Sequence, residues 1–160
     1  MEKTIEDVCE ELDKLSLRSL ELMEKRVSVN IELEKLIREG HIELAKARYI
    51  RGKESIGILQ VPQDGQVDSL FELERNLIER RGKDLPNFDI SLKASKTNGE
   101  KSYDPIKWFG VLVPQNLKSA QKRFQESLYF VVEAANINSE LDSIPNELEA
   151  LRTLKKNLTK

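Results

Sequence analysis

Little in this sequence is suited to chemistry. A single cysteine, Cys9, excludes an internal disulfide framework and any multi-cysteine metal site. A single histidine, His41, removes most metal sets and nucleophile–histidine–acid arrangements. It follows Gly40 in a charged segment with no nucleophile elbow nearby, and reads as a solvated helix-surface residue. Aromatics make up only 6 %, too little for a wide core. The net charge of −2 lacks the basic excess of a general nucleic-acid binder. The longest apolar run, Trp108 to Val113, contains a glycine and falls far short of the roughly 20 residues that a membrane span needs. Met1–Asp7 is acidic and no apolar block follows it, so no secretory signal is expected. These absences predict a soluble, cytosol-facing chain without enzymatic function or cofactor. Any membrane association would go through a partner or a surface helix.

What is present is charge. Asp, Glu, Lys and Arg make up 34 % of 160 residues, with only 7 Gly and 5 Pro, which suits long helices with narrow apolar seams. The length fits one domain, 1–160. Thr4-Ile-Glu-Asp7 has the pattern of a capping box. Beyond it, Val8, Leu15, Leu22, Val29 and Leu36 occupy successive d positions of a heptad, with Ile5, Leu12, Ser19, Arg26 and Leu33 at a. Cys9 falls at e beside this seam and reads as a packing residue. Past Gly40 the stripe shifts to Ile37, Leu44 and Ala47 or Arg48. A first helical arm is predicted over 4–51. A second, 116–158, carries Leu117, Ala120, Phe124, Leu128, Val131, Ala135 and Asn138. Asn116 is its expected cap, and Pro145 kinks or restarts it with Ser143 as a new cap. Two arms of similar length bury their seams most economically as an antiparallel coiled-coil hairpin, with a homodimer as the alternative.

The central insertion, 52–93, is less regular and allows short strands. Ser55–Val61 reads as a strand or extended loop. Val67–Arg81 fits both periods, with helix favoured on Leu70, Leu73 and Leu77. Asn87–Leu92 alternates like a strand. The stretch 94–102 reads as a flexible linker. Gly52-Lys53-Glu54-Ser55 fails as a phosphate loop, because Ala47 stands where the earlier glycine belongs and Glu54 where the hydroxyl belongs. Arg80-Arg81-Gly82-Lys83 is a basic cluster most simply read as a loop.

One segment stands out physically. Residues 103–115 hold the only tryptophan, Trp108, beside Phe109 and Gly110, between Asp104-Pro105 and Pro114. Two adjacent large aromatics in a chain with so few need something to pack against. They either plug the foot of the hairpin or anchor a partner.

Two blocks carry a family resemblance. Leu44-Ala-Lys-Ala-Arg-Tyr49 with Gly52, Lys53, Ser55, Gly57 and Leu59-Gln60 is the first. Asp104-Pro-Ile-Lys-Trp-Phe-Gly-Val-Leu-Val-Pro114 with Leu117, Ala120-Gln121 and Phe124 is the second and more specific. In this order they resemble the coiled-coil domain-containing protein 115 family, assembly factors of the vacuolar proton-pumping ATPase. The resemblance implies a non-enzymatic chaperone at the cytosolic face of the endoplasmic reticulum. It would work with a membrane-anchored assembly-factor subunit and, transiently, with membrane-sector subunits of the pump. It points to Asp104, Pro105, Trp108, Phe109, Gly110 and Pro114 as a structural or binding corner. Lys46, Arg48 and Tyr49 would lie opposite if the arms are antiparallel. Other readings of the same pattern are a prefoldin-like cytosolic holdase, which should contain a clean β-hairpin, and a coiled-coil tether.

Overall fold

The computed structural model describes residues 4–63, 65, 67, 69–93 and 104–159, so the expected linker 94–102 lies outside the described residues. Two long helices dominate, α1 (Ile5–Arg51) and α2 (Gln115–Leu158). Between them stand a two-stranded antiparallel sheet, β1 (Phe71–Arg80) and β2 (Lys83–Leu92), and two short 3-10 turns, Ile58–Gln60 and Pro105–Phe109.

Helix α1 starts where the sequence places it. The Thr4 hydroxyl accepts from the Asp7 N–H at 3.2 Å, and the Thr4 N–H donates to the Asp7 carboxylate at 2.9 Å. It ends at Gly52, whose φ of 89° favours glycine. Its 47 residues span about 70 Å. All five d positions, Val8, Leu15, Leu22, Val29 and Leu36, are buried. Beyond Leu36 the buried face passes to Gly40 and Ala47, with Leu44 half-buried, as the shifted stripe predicts, but Ile37, expected on that stripe, is exposed.

Helix α2 runs antiparallel to α1. Arg18 pairs with Glu140, Lys25 with Glu133 and Arg123 with Glu39, at 2.9, 2.9 and 3.0 Å, so numbering rises on one helix as it falls on the other. The expected second stripe holds at Leu117 and Ala120 and at Phe124, half-buried against Gly40 of α1, but departs from Leu128 on. Ser127, Ile137, Glu140 and Ile144 are buried, whereas Leu128 and Val131 are exposed. A reading by hydrophobicity passes over Ser127, whose hydroxyl satisfies itself on the Phe124 carbonyl at 2.7 Å. Asn116 is not the cap: α2 begins at Gln115 with Pro114 before it and no side-chain cap. Nor does Pro145 restart the helix, which is continuous through it. Ile144 and Leu148 on either side stay packed on the α1 seam, and that burial outweighs the lost N–H. Ser143 donates to the Glu140 carbonyl instead of capping a new segment.

The centre corrects two further expectations. Ser55–Val61 forms a turn with a 3-10 segment, not a strand, since Gln60 accepts from the Gly57 N–H at 2.8 Å and donates to the Glu54 carbonyl at 2.6 Å. Within 67–81, Phe71–Arg80 forms strand β1, not a helix. Pairing explains why: Phe71, Leu73 and Leu77 face Leu92, Ile90 and Pro86 on one side of the ladder, and Ile78 faces Leu85 on the other, so each apolar residue of β1 from Phe71 on gains an apolar partner across the strands. The turn Arg81-Gly82, with φ of 52° and 73°, has the twist that two-residue hairpins need.

The hairpin lies edge-on along α2. The Asn136 side chain accepts from the Phe88 N–H at 2.7 Å and donates to the Phe88 carbonyl at 2.9 Å, standing in for a neighbouring strand. Ser139 donates to the Pro86 carbonyl at 2.9 Å on the same edge, where a proline has no N–H to leave unpaired.

Candidate functional site

The corner forms where α1 ends and α2 begins. Asp104 opens the Pro105–Phe109 turn, its carboxylate accepting from the Ile106 N–H at 3.1 Å and the Gln121 amide at 2.7 Å. Pro105 supplies a preset φ at a position that needs no donor. Gly110 closes the turn at φ 104°, a left-handed conformation that other residues adopt only with strain. Pro114 then leads into α2, its carbonyl accepting from the Leu117 N–H at 3.0 Å.

Ile106, Phe109 and Val113 pack on a buried cluster of Ala47, Ile56 and Leu117, with Leu44 alongside. The corner therefore sits against the last turns of α1, where antiparallel arms put it. Trp108 and Phe109 are both half-buried. Arg48 braces the 52–60 loop by donating to the Ile56 carbonyl at 3.2 Å. Lys46 and Asn116 both donate to Glu43, each at 2.6 Å, a bridge from α1 to the start of α2. The Lys46 hydrogen bond, with Asn116 second, holds the Glu43 carboxyl below its usual range. Tyr49 is 92 % exposed. Of the nine candidate residues, Asp104, Pro105, Phe109, Gly110 and Pro114 build the corner, Lys46 and Arg48 brace it, Trp108 lies half-buried within it and Tyr49 projects from it.

A second polar cluster escapes sequence reading. Glu140 is buried beside Ile137 and Ile144 and receives Arg18 at 2.9 and 3.1 Å and Arg80 at 3.1 Å. The Arg18 hydrogen bonds, offset by burial and joined by the positive charges of Arg18, Arg80 and Arg81, depress its carboxyl. Glu147 receives Arg81 at 3.4 Å and Lys83 at 4.0 Å. The basic cluster 80–83 is thus the hairpin tip, docked on two α2 carboxylates. A carboxylate set among Ile137, Ile144 and Leu148 at helical spacing is the available signal. His41 is exposed and meets the Phe124 ring edge-on at 5.2 Å between centroids. Among the described residues, no group of three or more His, Cys, Asp and Glu could hold a metal ion, and no helix is long and apolar enough to cross a membrane.

Comparison with known proteins bears on the whole chain. A family model described as Vma22/CCDC115 matches residues 63–127, from the hairpin through the corner into α2. The chain is similar to the vacuolar ATPase assembly protein VMA22 of Homo sapiens, 31 % identical over 175 residues that cover 95 % of both chains. The proteins of the same name from Mus musculus and Bos taurus are 30 % and 29 % identical, covering 93 % and 95 % of both chains.

Proposed function

Because the chain belongs to the Vma22/CCDC115 family, we propose that it is a non-enzymatic assembly factor for the membrane sector of the vacuolar proton-pumping ATPase. It acts at the cytosolic face of the endoplasmic reticulum beside a membrane-anchored partner. The observation that carries this is the end-to-end similarity to proteins named for vacuolar ATPase assembly. The architecture agrees in kind. Two antiparallel helices with five buried d positions suit a coiled-coil hairpin, a stiff lever whose charged faces dock by complementarity. Within it, Trp108, Phe109 and Pro114 form the working corner, with Lys46, Arg48 and Tyr49 across from them.

The prefoldin-like holdase keeps a place because the central β-hairpin, which that reading requires, is present. The hairpin is held along its own α2 by Asn136 and Ser139, an intrachain role that favours the assembly reading.

The test is tagged recovery from detergent-solubilised membranes, wild type beside a Trp108→Ala, Phe109→Ala double variant. Expected with the wild type are a small membrane-anchored partner and pump membrane-sector subunits, without mature pump. A variant that stays helical and loses them places binding at the corner; one that loses helicity makes the aromatics a plug. Recovery of soluble chaperone subunits alone, or of the chain alone, overturns the assembly reading.

A further inference from the structure

The end of the molecule beyond the corner combines two features. Its turns hold apolar side chains outward: Ile58 and Leu59 are 79 % and 77 % exposed, Val111 and Leu112 are 99 % and 80 %. Tyr49, in the last turns of α1, is exposed as well. The loops that carry them are fastened. Gln60 clamps the first through its bonds to Gly57 and Glu54, Arg48 ties it to α1, and Ile56 is sunk in the core. The second is pinned between Gly110 and Pro114, with Phe109 and Val113 turned inward. Apolar pairs so held are presented to something outside the chain.

Charge identifies what. Residues 43–59 and 104–118 together carry six basic and three acidic side chains, a net +3 in a chain whose total is −2. Arg48, Arg51, Lys53, Lys107 and Lys118 are exposed. Arg51 reaches Gly110, whose added Cβ would lie 3.9 Å from its guanidinium, so a basic group stands directly beside the Val111–Leu112 turn. Glu43 and Lys46 pair with each other, with Asn116 also on Glu43, and Asp104 accepts from Gln121, so Arg48, Arg51, Lys53, Lys107 and Lys118 stand against Glu54 at this end. A partner helix would ask for one continuous groove with anchors at helical spacing. Short apolar tips on separate turns, an exposed tyrosine and a basic rim match the charge and layering of a membrane interface.

We propose that this end docks on an anionic lipid bilayer, with Ile58, Leu59, Val111 and Leu112 entering the headgroup region and the surrounding Arg and Lys held by lipid phosphates and carboxylates. This direct contact is additional to any held through a membrane-anchored partner, and stands whether or not the chain assembles a pump.

The test is co-sedimentation of the purified full chain with vesicles of phosphatidylcholine alone or with phosphatidylserine. Three proteins are compared: wild type, Val111→Ser with Leu112→Ser, and Arg51→Gln. All the changed side chains are exposed, and circular dichroism checks that helicity is kept. Wild type is expected to bind the phosphatidylserine vesicles, weakening as salt rises, and to bind neutral vesicles far less. Arg51→Gln lowers the partition about fivefold, and the apolar double variant loses most of it. Failure of wild type to bind anionic vesicles at low salt overturns the proposal. Equal binding by the apolar double variant also overturns it, leaving only electrostatic adsorption. If that variant instead loses a co-recovered protein while wild type ignores vesicles, the surface belongs to a protein partner. No pump subunit enters the vesicle experiment, so its failure is distinct from failure of the assembly reading.

Discussion

At the scale of single residues, the fold turns on places where a side chain is small or polar for a reason far away in sequence. A glycine inside a helix costs about 1 kcal/mol relative to alanine, yet Gly40 sits well inside α1, about three turns before its end. A Cβ there would meet Cε1 and Cζ of Phe124 at 2.9 Å. The missing side chain is the space into which the Phe124 ring fits, and the apolar stripe of α1 changes phase at this level. Gly40→Leu should therefore cost about 1–3 kcal/mol through overpacking, read as a lower urea midpoint with unchanged slope. In a Phe124→Ala background the penalty should shrink; an equal penalty in both backgrounds would show that the ring is not its source. The sequence shows that the stripe shifts at Gly40 but not why, because the reason lies on the other helix. Glu140 and Ser127 were hidden for another reason. Each is a polar residue on a buried face, which hydrophobicity ranks as solvent-facing, and each is tolerated because a specific partner satisfies it.

At the scale of elements, the hairpin is held as much by charge as by packing. Arg80 faces Lys83 across the strands, a like-charge pair that disfavours the ladder by itself. Glu140 and Glu147 on α2 offset it, and Glu140 also binds Arg18 of α1, so one carboxylate joins three elements. Because its carboxyl is depressed in the fold, its contribution is fully present above the ordinary carboxylate range and is lost as pH falls through the lower, folded value. Glu140→Gln should cost about 1–2 kcal/mol at neutral pH. The gap between wild type and variant should close on acidification, as urea unfolding along a pH series would show; a gap constant into acid would refute the linkage. Legibility at this scale was uneven for a physical reason. The long helices were readable because each repeats one period over many turns. Strand β2 was readable over 87–92 from its alternation. Strand β1 was not, because Leu70, Leu73 and Leu77 match a helix while Phe71 and Leu73 match a strand. Only the partner strand and the Arg81-Gly82 turn decide between them.

At the scale of the whole molecule, two clusters lie well apart along one pair of helices. Leu15, Leu22 and Val29 meet Ile137 and Ile144 toward one end, and Ala47, Ile56 and Leu117 meet at the other. Leu22 and the level of Leu117, marked by the Glu43–Asn116 bridge, are separated by roughly 30 Å of α1 at 1.5 Å per residue. A rod of this kind has no central core through which one site could strain another, but the same two continuous helices run through both clusters. Truncations at the two clusters should therefore add. Leu22→Ala is expected to cost about 2–3 kcal/mol. Its combination with Leu117→Ala should equal the sum of the single changes within about 0.5 kcal/mol. Urea unfolding followed by circular dichroism is the measurement, with the slope held constant across the four proteins. A shallower transition in the Leu117→Ala chain would mean that the corner opens before the rest. The end bearing the candidate site would then be a separately unfolding unit, and rigid presentation of its exposed turns would have to be abandoned.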